Sequence, residues 1–237
     1  MKILINYAHG GFVESQKMCS QSAMEVGGFD KVIEYRKKDI DPYFLRKNEN
    51  IFAQKRGAGY WLWKPYFILK TLKEMSDEDI LVYCDSGLKF VDSWDYFFDI
   101  CNNIKHNLVL FMLGFENKQW TKRDCFYYMG CDSDKYAKGM HTAATYQICK
   151  KNNFTLNFYS EYLDYAQDER IMTDKPNECG NTNHPEFNDH RHDQSILSLL
   201  RLRHKIVAQE HDPTQFGNKN RSEGDRQQSI DLHRKRT

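Results

Sequence analysis

The apolar residues of this chain fall into short dense runs separated by polar stretches, and the runs keep two different rhythms. KILINYA (2–8), KVIEY (31–35), DILVYCDSG (79–87) and LVLFMLG (108–114) are compact and rich in Ile, Val, Leu and Tyr. Runs of that length read as strands, and near-continuous apolar character predicts burial on both faces. Between them, VESQKMCSQSAMEV, PYFILKTLKEM and DSWDYFFDICNNI read as helices. In the second, Phe67, Ile68, Leu69 and Leu72 recur at helical spacing, and Pro65 suits a first helical position. Strands alternating with helices predict an α/β fold whose mixed, mostly parallel sheet is flanked by helices.

The second half is predicted to be mostly helical: Ser133 to about Asn152, then NFYSEYLDYAQ, then SILSLLRLRHK. In the last, Ile196, Leu197, Leu199 and Leu200 form a core-facing stripe. From about His211 the chain turns polar, with almost no apolar residues. The expected organisation is a single domain over 1–210 and a polar, flexible tail over 211–237. No internal repeat is visible.

Composition narrows the partners. The 34 Lys and Arg against 33 Asp and Glu argue against a nucleic-acid partner held by bulk charge. Seven cysteines, an odd number with no CxxC pair, read as free thiols in a reducing compartment. The opening MKILINYAHGG is too short in its apolar part for a signal peptide, and no run reaches the length of a membrane span. A cytoplasmic protein is expected.

Three stretches carry candidate chemistry. In DILVYCDSG, Asp85 ends a strand, where open sheets bind ligands, and small Ser86 and Gly87 permit close approach to the backbone. A carboxylate so placed suits a divalent cation on a phosphate, or merely a turn. In RGAGYWLWKPY (56–66), Trp61 and Trp63 would share one side of an extended segment, and Arg56 and Lys64 beside a helix start would suit a diphosphate. The alternative there is two core tryptophans and a solvated lysine. In NDHRHDQSILSLL (188–200), Asp189 or Asp193 is a natural N-cap for the helix that follows. His190 and His192 are two apart, which does not place them on one helix face as a zinc pair; one of them could join Asp85 on a metal. The loop HGGF and the segment TKRDCF, read as a polar helix start, are weaker signals.

Taken in order, RGAGYWLWKPYFILKTL, DILVYCDSG, WTKRDCF, EYLDYAQDERIMTD and NHPEFNDHRHDQSILSLL resemble a family of glycosyltransferase-like proteins found in bacterial polysaccharide gene clusters and in large DNA viruses. The resemblance covers about residues 2–206. It implies a GT-A-type, Rossmann-like fold and transfer of a sugar from a nucleotide-sugar donor to a glycan, glycoconjugate or other hydroxyl acceptor in polysaccharide biosynthesis. The setting would be the cytoplasm, the host's if the protein is viral. In that class an Asp-x-Asp motif holds Mn²⁺ or Mg²⁺ against the diphosphate. Here Asp-Ser-Gly supplies only Asp85, so the resemblance implies a metal on Asp85 completed by a late histidine, His192 or His190. It assigns catalysis to Asp193 and Gln194. The chemistry of such a transfer agrees, and donor binding is expected of Arg56, Trp61, Trp63, Lys64, Asp85, Ser86, Gly87 and Arg191, with the base and ribose near Asn6 and Tyr7. A catalytically silent carbohydrate- or nucleotide-binding module on the same scaffold is the main alternative. A metal-dependent phosphohydrolase is a third.

Overall fold

The structure, a computed structural model, describes residues 1–210, 212–214 and 228–232. Its strands are β1 (Lys2–Tyr7), β2 (Lys31–Tyr35), β3 (Ile80–Cys84), β4 (Leu88–Phe90), β5 (Leu108–Val109), β6 (Met112–Glu116), β7 (Met140–Thr142), β8 (Tyr146–Lys150) and β9 (Ile230–Leu232). Five of them make the central sheet in the order β2-β1-β3-β8-β5. β1 is parallel to β2 and β3, while β8 runs against both β3 and β5. Four strands therefore share one direction, and the mixed, mostly parallel α/β sheet flanked by helices is as expected.

Alternation along these strands builds a core on each face. Ile3, Ile5, Leu81, Tyr83 and Cys149 point to one side. There they pack under the helices α1 (Trp63–Glu74), α2 (Asn153–Ala166) and α3 (Asp193–Arg203). Leu4, Val82, Cys84, Ile148 and Val109 point to the other, against Trp94, Phe97, Phe98 and Cys19. The cysteines are free, and all but Cys179 are buried. No described helix is long and apolar enough to cross a membrane.

Several expectations need correction. Residues 133–152 are not a helix: after a short helix, Asp134–Ala137, they form β7 and the inner strand β8. A run as short as YQICK does not distinguish strand from helix by pattern. Pairing with β3 on one side and β5 on the other decides it. The buried Gln147 in β8 is satisfied by the Tyr159 hydroxyl (3.1 Å). LVLFMLG breaks in two, β5 remaining in the sheet and β6 pairing with β7 outside it. Pro65 is the third residue of α1 rather than its first, still within the first turn, where no N–H is needed.

The tail expectation fails where it can be compared. Ile230 is fully buried in the second core, and β9 pairs antiparallel with β4. The amides of Ser229 and Ile230 donate to the Pro213 carbonyl (3.0 and 3.1 Å). The rest of the stretch expected to be flexible (211, 215–227 and 233–237) lies outside the described residues.

Candidate active site

Five successive residues, Gly57 to Trp61, have positive φ (57°, 51°, 98°, 48° and 63°). The segment is thus a left-handed turn and not the extended stretch expected from the alternating tryptophans. For non-glycine residues such geometry costs roughly 1–2 kcal/mol each, so the surroundings must hold it. A Cβ on Gly57 would come within 2.4 Å of the Trp61 ring, and one on Gly59 within 2.8 Å of Phe52 Cδ1. The indole N–H of Trp63 donates to the Gly57 carbonyl (2.9 Å). The turn sends the two tryptophans to different partners: Trp61 lies on the His192 ring (5.5 Å between centroids), Trp63 on Tyr7 (4.0 Å).

Lys64, in the first turn of α1, is turned inward with its side chain 3% exposed. Its Nζ lies 2.6 Å from Asp193 Oδ2 and 3.5 Å from Asp85 Oδ1, and donates to the Ala144 carbonyl (3.2 Å). Burial works against the ammonium, but the two carboxylates outweigh it and raise the Lys64 pKa. Burial also pushes the Asp193 carboxyl up to about 6, with Lys64 opposing and Asp85 reinforcing the shift. The Tyr83 hydroxyl donates to Asp85 Oδ1 (2.5 Å), fixing that carboxylate at the end of β3. Asp193 is the first residue of α3 and not its N-cap: His192 occupies the cap position, and Asp189 pairs with Arg56.

The two histidines separate in role. His190 has both ring nitrogens engaged, Nε2 with the Ile171 carbonyl (2.8 Å) and Nδ1 accepting from the Lys122 amide (3.3 Å). That leaves it no lone pair for a metal. His192 sits at φ 50° with Nδ1 on the Met172 carbonyl (2.9 Å). Nδ1 therefore carries the proton, and the buried Nε2 keeps a lone pair with no hydrogen-bond partner, 3.6 Å from Asp174 Oδ1. Burial lowers the His192 pKa to about 4, so the ring is neutral at pH 7.

The loop that carries Asp174, Asp189 and Arg191 is tied to the domain by the segment that had read as a polar helix start. Lys122 Nζ donates to the carbonyls of Thr173 (3.3 Å) and Lys175 (2.7 Å), and the Asp124 carboxylate accepts from the amides of Glu178 and Cys179 (2.9 Å each). Arg56 closes the other side on Asp174 (3.0 Å) and Asp189 (2.6 Å).

These pieces enclose a pocket of about 510 Å³ at the carboxyl ends of β1 and β3, where open α/β sheets take ligands. Lys64, Asp85 and Asp193 line it, with Ser86, Gly87 and Gln194 beside them. Tyr7, Trp61, Trp63 and His192 add rings, and Arg56 and Arg191 add charge. Arg191 Cζ lies over the Trp120 ring (4.3 Å to its centroid). Neither a protein-family model nor a curated protein matches the chain. Among solved structures it is similar to mouse xyloside xylosyltransferase 1, at 11% identity over 90% of this chain and 85% of that one, with a TM-score of 0.46. It is also similar to WbbM, a bifunctional glycosyltransferase, at 9% identity over 83% of this chain and 36% of that one, with a TM-score of 0.47.

Every residue expected at the site lines the pocket except Asn6 and the alternative metal histidine, His190. Asn6 is buried, accepting from Gln16 Nε2 (2.6 Å) and donating to Ser20 Oγ (3.2 Å). Neighbouring strand positions face opposite ways, so Tyr7 reaches the pocket and Asn6 does not. Arg56 reaches it with its guanidinium already held by two carboxylates. His9 and Phe12 come from the loop that is a weaker signal in the sequence, and lining residues not foreseen are Lys55, Ala144 and Thr145. The Lys-Arg pair before Gly57 is a signal for the first, while the other two lie in the stretch expected to be helical.

The donor set for Mn²⁺ or Mg²⁺ does not assemble. Among the described residues no three His, Cys, Asp or Glu side chains gather closely enough to hold a metal ion. Asp85 and Asp193 share the Lys64 ammonium instead, and the free nitrogen of His192 faces Asp174. The residues present do not fit the divalent site expected of Asp85 and His192.

Proposed function

We propose that the protein is a glycosyltransferase, moving a sugar from a nucleotide-sugar donor to a glycan or other hydroxyl acceptor. The observation that supports this most is the pocket itself. Four cationic side chains (Lys55, Arg56, Lys64, Arg191) and two carboxylates (Asp85, Asp193) meet beside aromatic rings at the carboxyl edge of the sheet. Its volume falls within the roughly 300–1,000 Å³ of small-molecule sites. Transfer breaks the anomeric C–O bond, and the electron pair leaves with the diphosphate while the sugar gains oxocarbenium character. Cations around the leaving group stabilise that charge. In this reading Asp85 and Gln194 orient sugar hydroxyls, and Trp61 covers an apolar sugar face. As the acceptor oxygen bonds to the anomeric carbon its proton must go to a base. Asp193, raised to about 6 by burial, is ionised at neutral pH and suited to take it. Six buried free thiols accord with a cytoplasmic setting.

One feature favours a second reading, a catalytically silent carbohydrate- or nucleotide-binding module: both pocket carboxylates are engaged by Lys64. Turnover separates the two. A panel of UDP-, GDP- and dTDP-sugars is incubated with the protein, with and without Mn²⁺, and released nucleoside diphosphate is measured. Slow hydrolysis of one donor is expected. Stabilisation by a donor without turnover leaves the binding module, and neither response to any donor overturns both.

A further inference from the structure

Four cations and two carboxylates line the pocket, and its imidazoles are neutral: burial lowers the pKa of both His9 and His192. The four cations are not equivalent. Lys64 is held between Asp85 and Asp193, and Arg56 between Asp174 and Asp189. Lys55 and Arg191 are exposed and make no ion pair among the described residues. Arg191 Cζ sits over the Trp120 ring, and among the described residues its guanidinium has no ion pair, so it is open to fork onto phosphate oxygens.

We propose that the donor's diphosphate is held by Lys55 and Arg191 without a divalent metal, because the Lys64 ammonium is already the cation that bridges the site's two carboxylates. This rests on the nucleotide-sugar reading above and names how that donor is bound. A divalent ion in such a site needs hard oxygen ligands at about 2.0–2.6 Å, and the carboxylates lining the pocket are Asp85 and Asp193. The buried ammonium stands 2.6 Å from one and 3.5 Å from the other, over the Tyr83 ring at 5.1 Å. A dication entering there would meet a like charge that has no solvent to retreat into. Two uncommitted cations at the exposed edge are what a diphosphate dianion requires, and they leave Lys64, Asp85 and Asp193 to the sugar.

The test is calorimetric titration of the full chain with UDP, GDP and dTDP, and with the matching nucleosides, in EDTA and then in Mn²⁺. One diphosphate is expected to bind in EDTA with an affinity within about twofold of that in Mn²⁺. Each lost charge-assisted contact, in Lys55→Ala or Arg191→Ala, should weaken the diphosphate by about tenfold or more. The same variants should leave nucleoside binding and the circular dichroism unchanged. A tenfold or greater tightening by Mn²⁺ that disappears in Asp85→Asn overturns the inference while the glycosyltransferase reading stands. No diphosphate bound in either condition overturns the inference together with the nucleotide-sugar reading.

Discussion

At the scale of single residues, the centre of the site is a buried ion pair, Lys64 with Asp193, steadied by Asp85. Removing one partner of such a pair leaves an uncompensated charge. Asp193→Ala should therefore lose about 3–5 kcal/mol in urea unfolding, and the double variant Lys64→Met/Asp193→Leu should recover most of that loss. Activity lost in the alanine variant alone would not identify a catalytic carboxylate, whereas Asp193→Asn at matched stability would. Asp193 is ionised above its pKa of about 6 and protonated below it. If it acts as the base, kcat/KM should fall on the acid side with an apparent pKa near 6, and the Asn variant should abolish that limb. Lys64, Asp85 and Asp193 were each legible in the sequence as charged residues at a strand end or helix start. Their mutual contact was not, because it joins three segments far apart along the chain.

At the scale of elements, local pattern served the continuous apolar runs and failed where geometry is set from outside. β1, β2 and β3 and the leucine stripe of α3 were legible because burial on one or both faces imposes its own periodicity. β8 was not, since five residues between polar neighbours are strand only by virtue of their pairing. RGAGYW announced a turn through its glycines, yet its handedness depends on Phe52 and Trp61 filling the space where two Cβ atoms would stand. Gly59→Ala should cost about 1–3 kcal/mol, the range for strained backbone, and should remove donor binding while the far-ultraviolet circular dichroism stays native. WTKRDCF matters as a fastening: Asp124→Ala frees the amides of Glu178 and Cys179, and hydrogen exchange at those two amides should accelerate while β1 and β3 stay protected.

At the scale of the whole molecule, two cores back one sheet, and the second is completed by residues from the end of the described chain. Ile230 reaches that core although the sequence around it is polar, and a single fully buried apolar side chain in a polar stretch gives no periodic signal. Ile230→Ala should cost about 2–5 kcal/mol, as for other large-to-small core changes, measurable as a lower urea midpoint with an unchanged slope. A merely loose tail would show no shift. Because β9 pairs with β4, directly after Asp85–Gly87, the same variant should also weaken donor binding.

The left-handed turn has a further consequence, in time rather than in space. No short L-peptide dwells in five successive left-handed conformations, so the unfolded chain holds no precursor of Gly57–Trp61. The ring that rests on Trp61 belongs to His192, far along the chain, and arrives only when α3 docks. Substitutions at Gly59 should then speed unfolding in stopped-flow experiments and leave the refolding rate nearly unchanged. The chain would reach its architecture first, and become competent to bind only as the last turn closes.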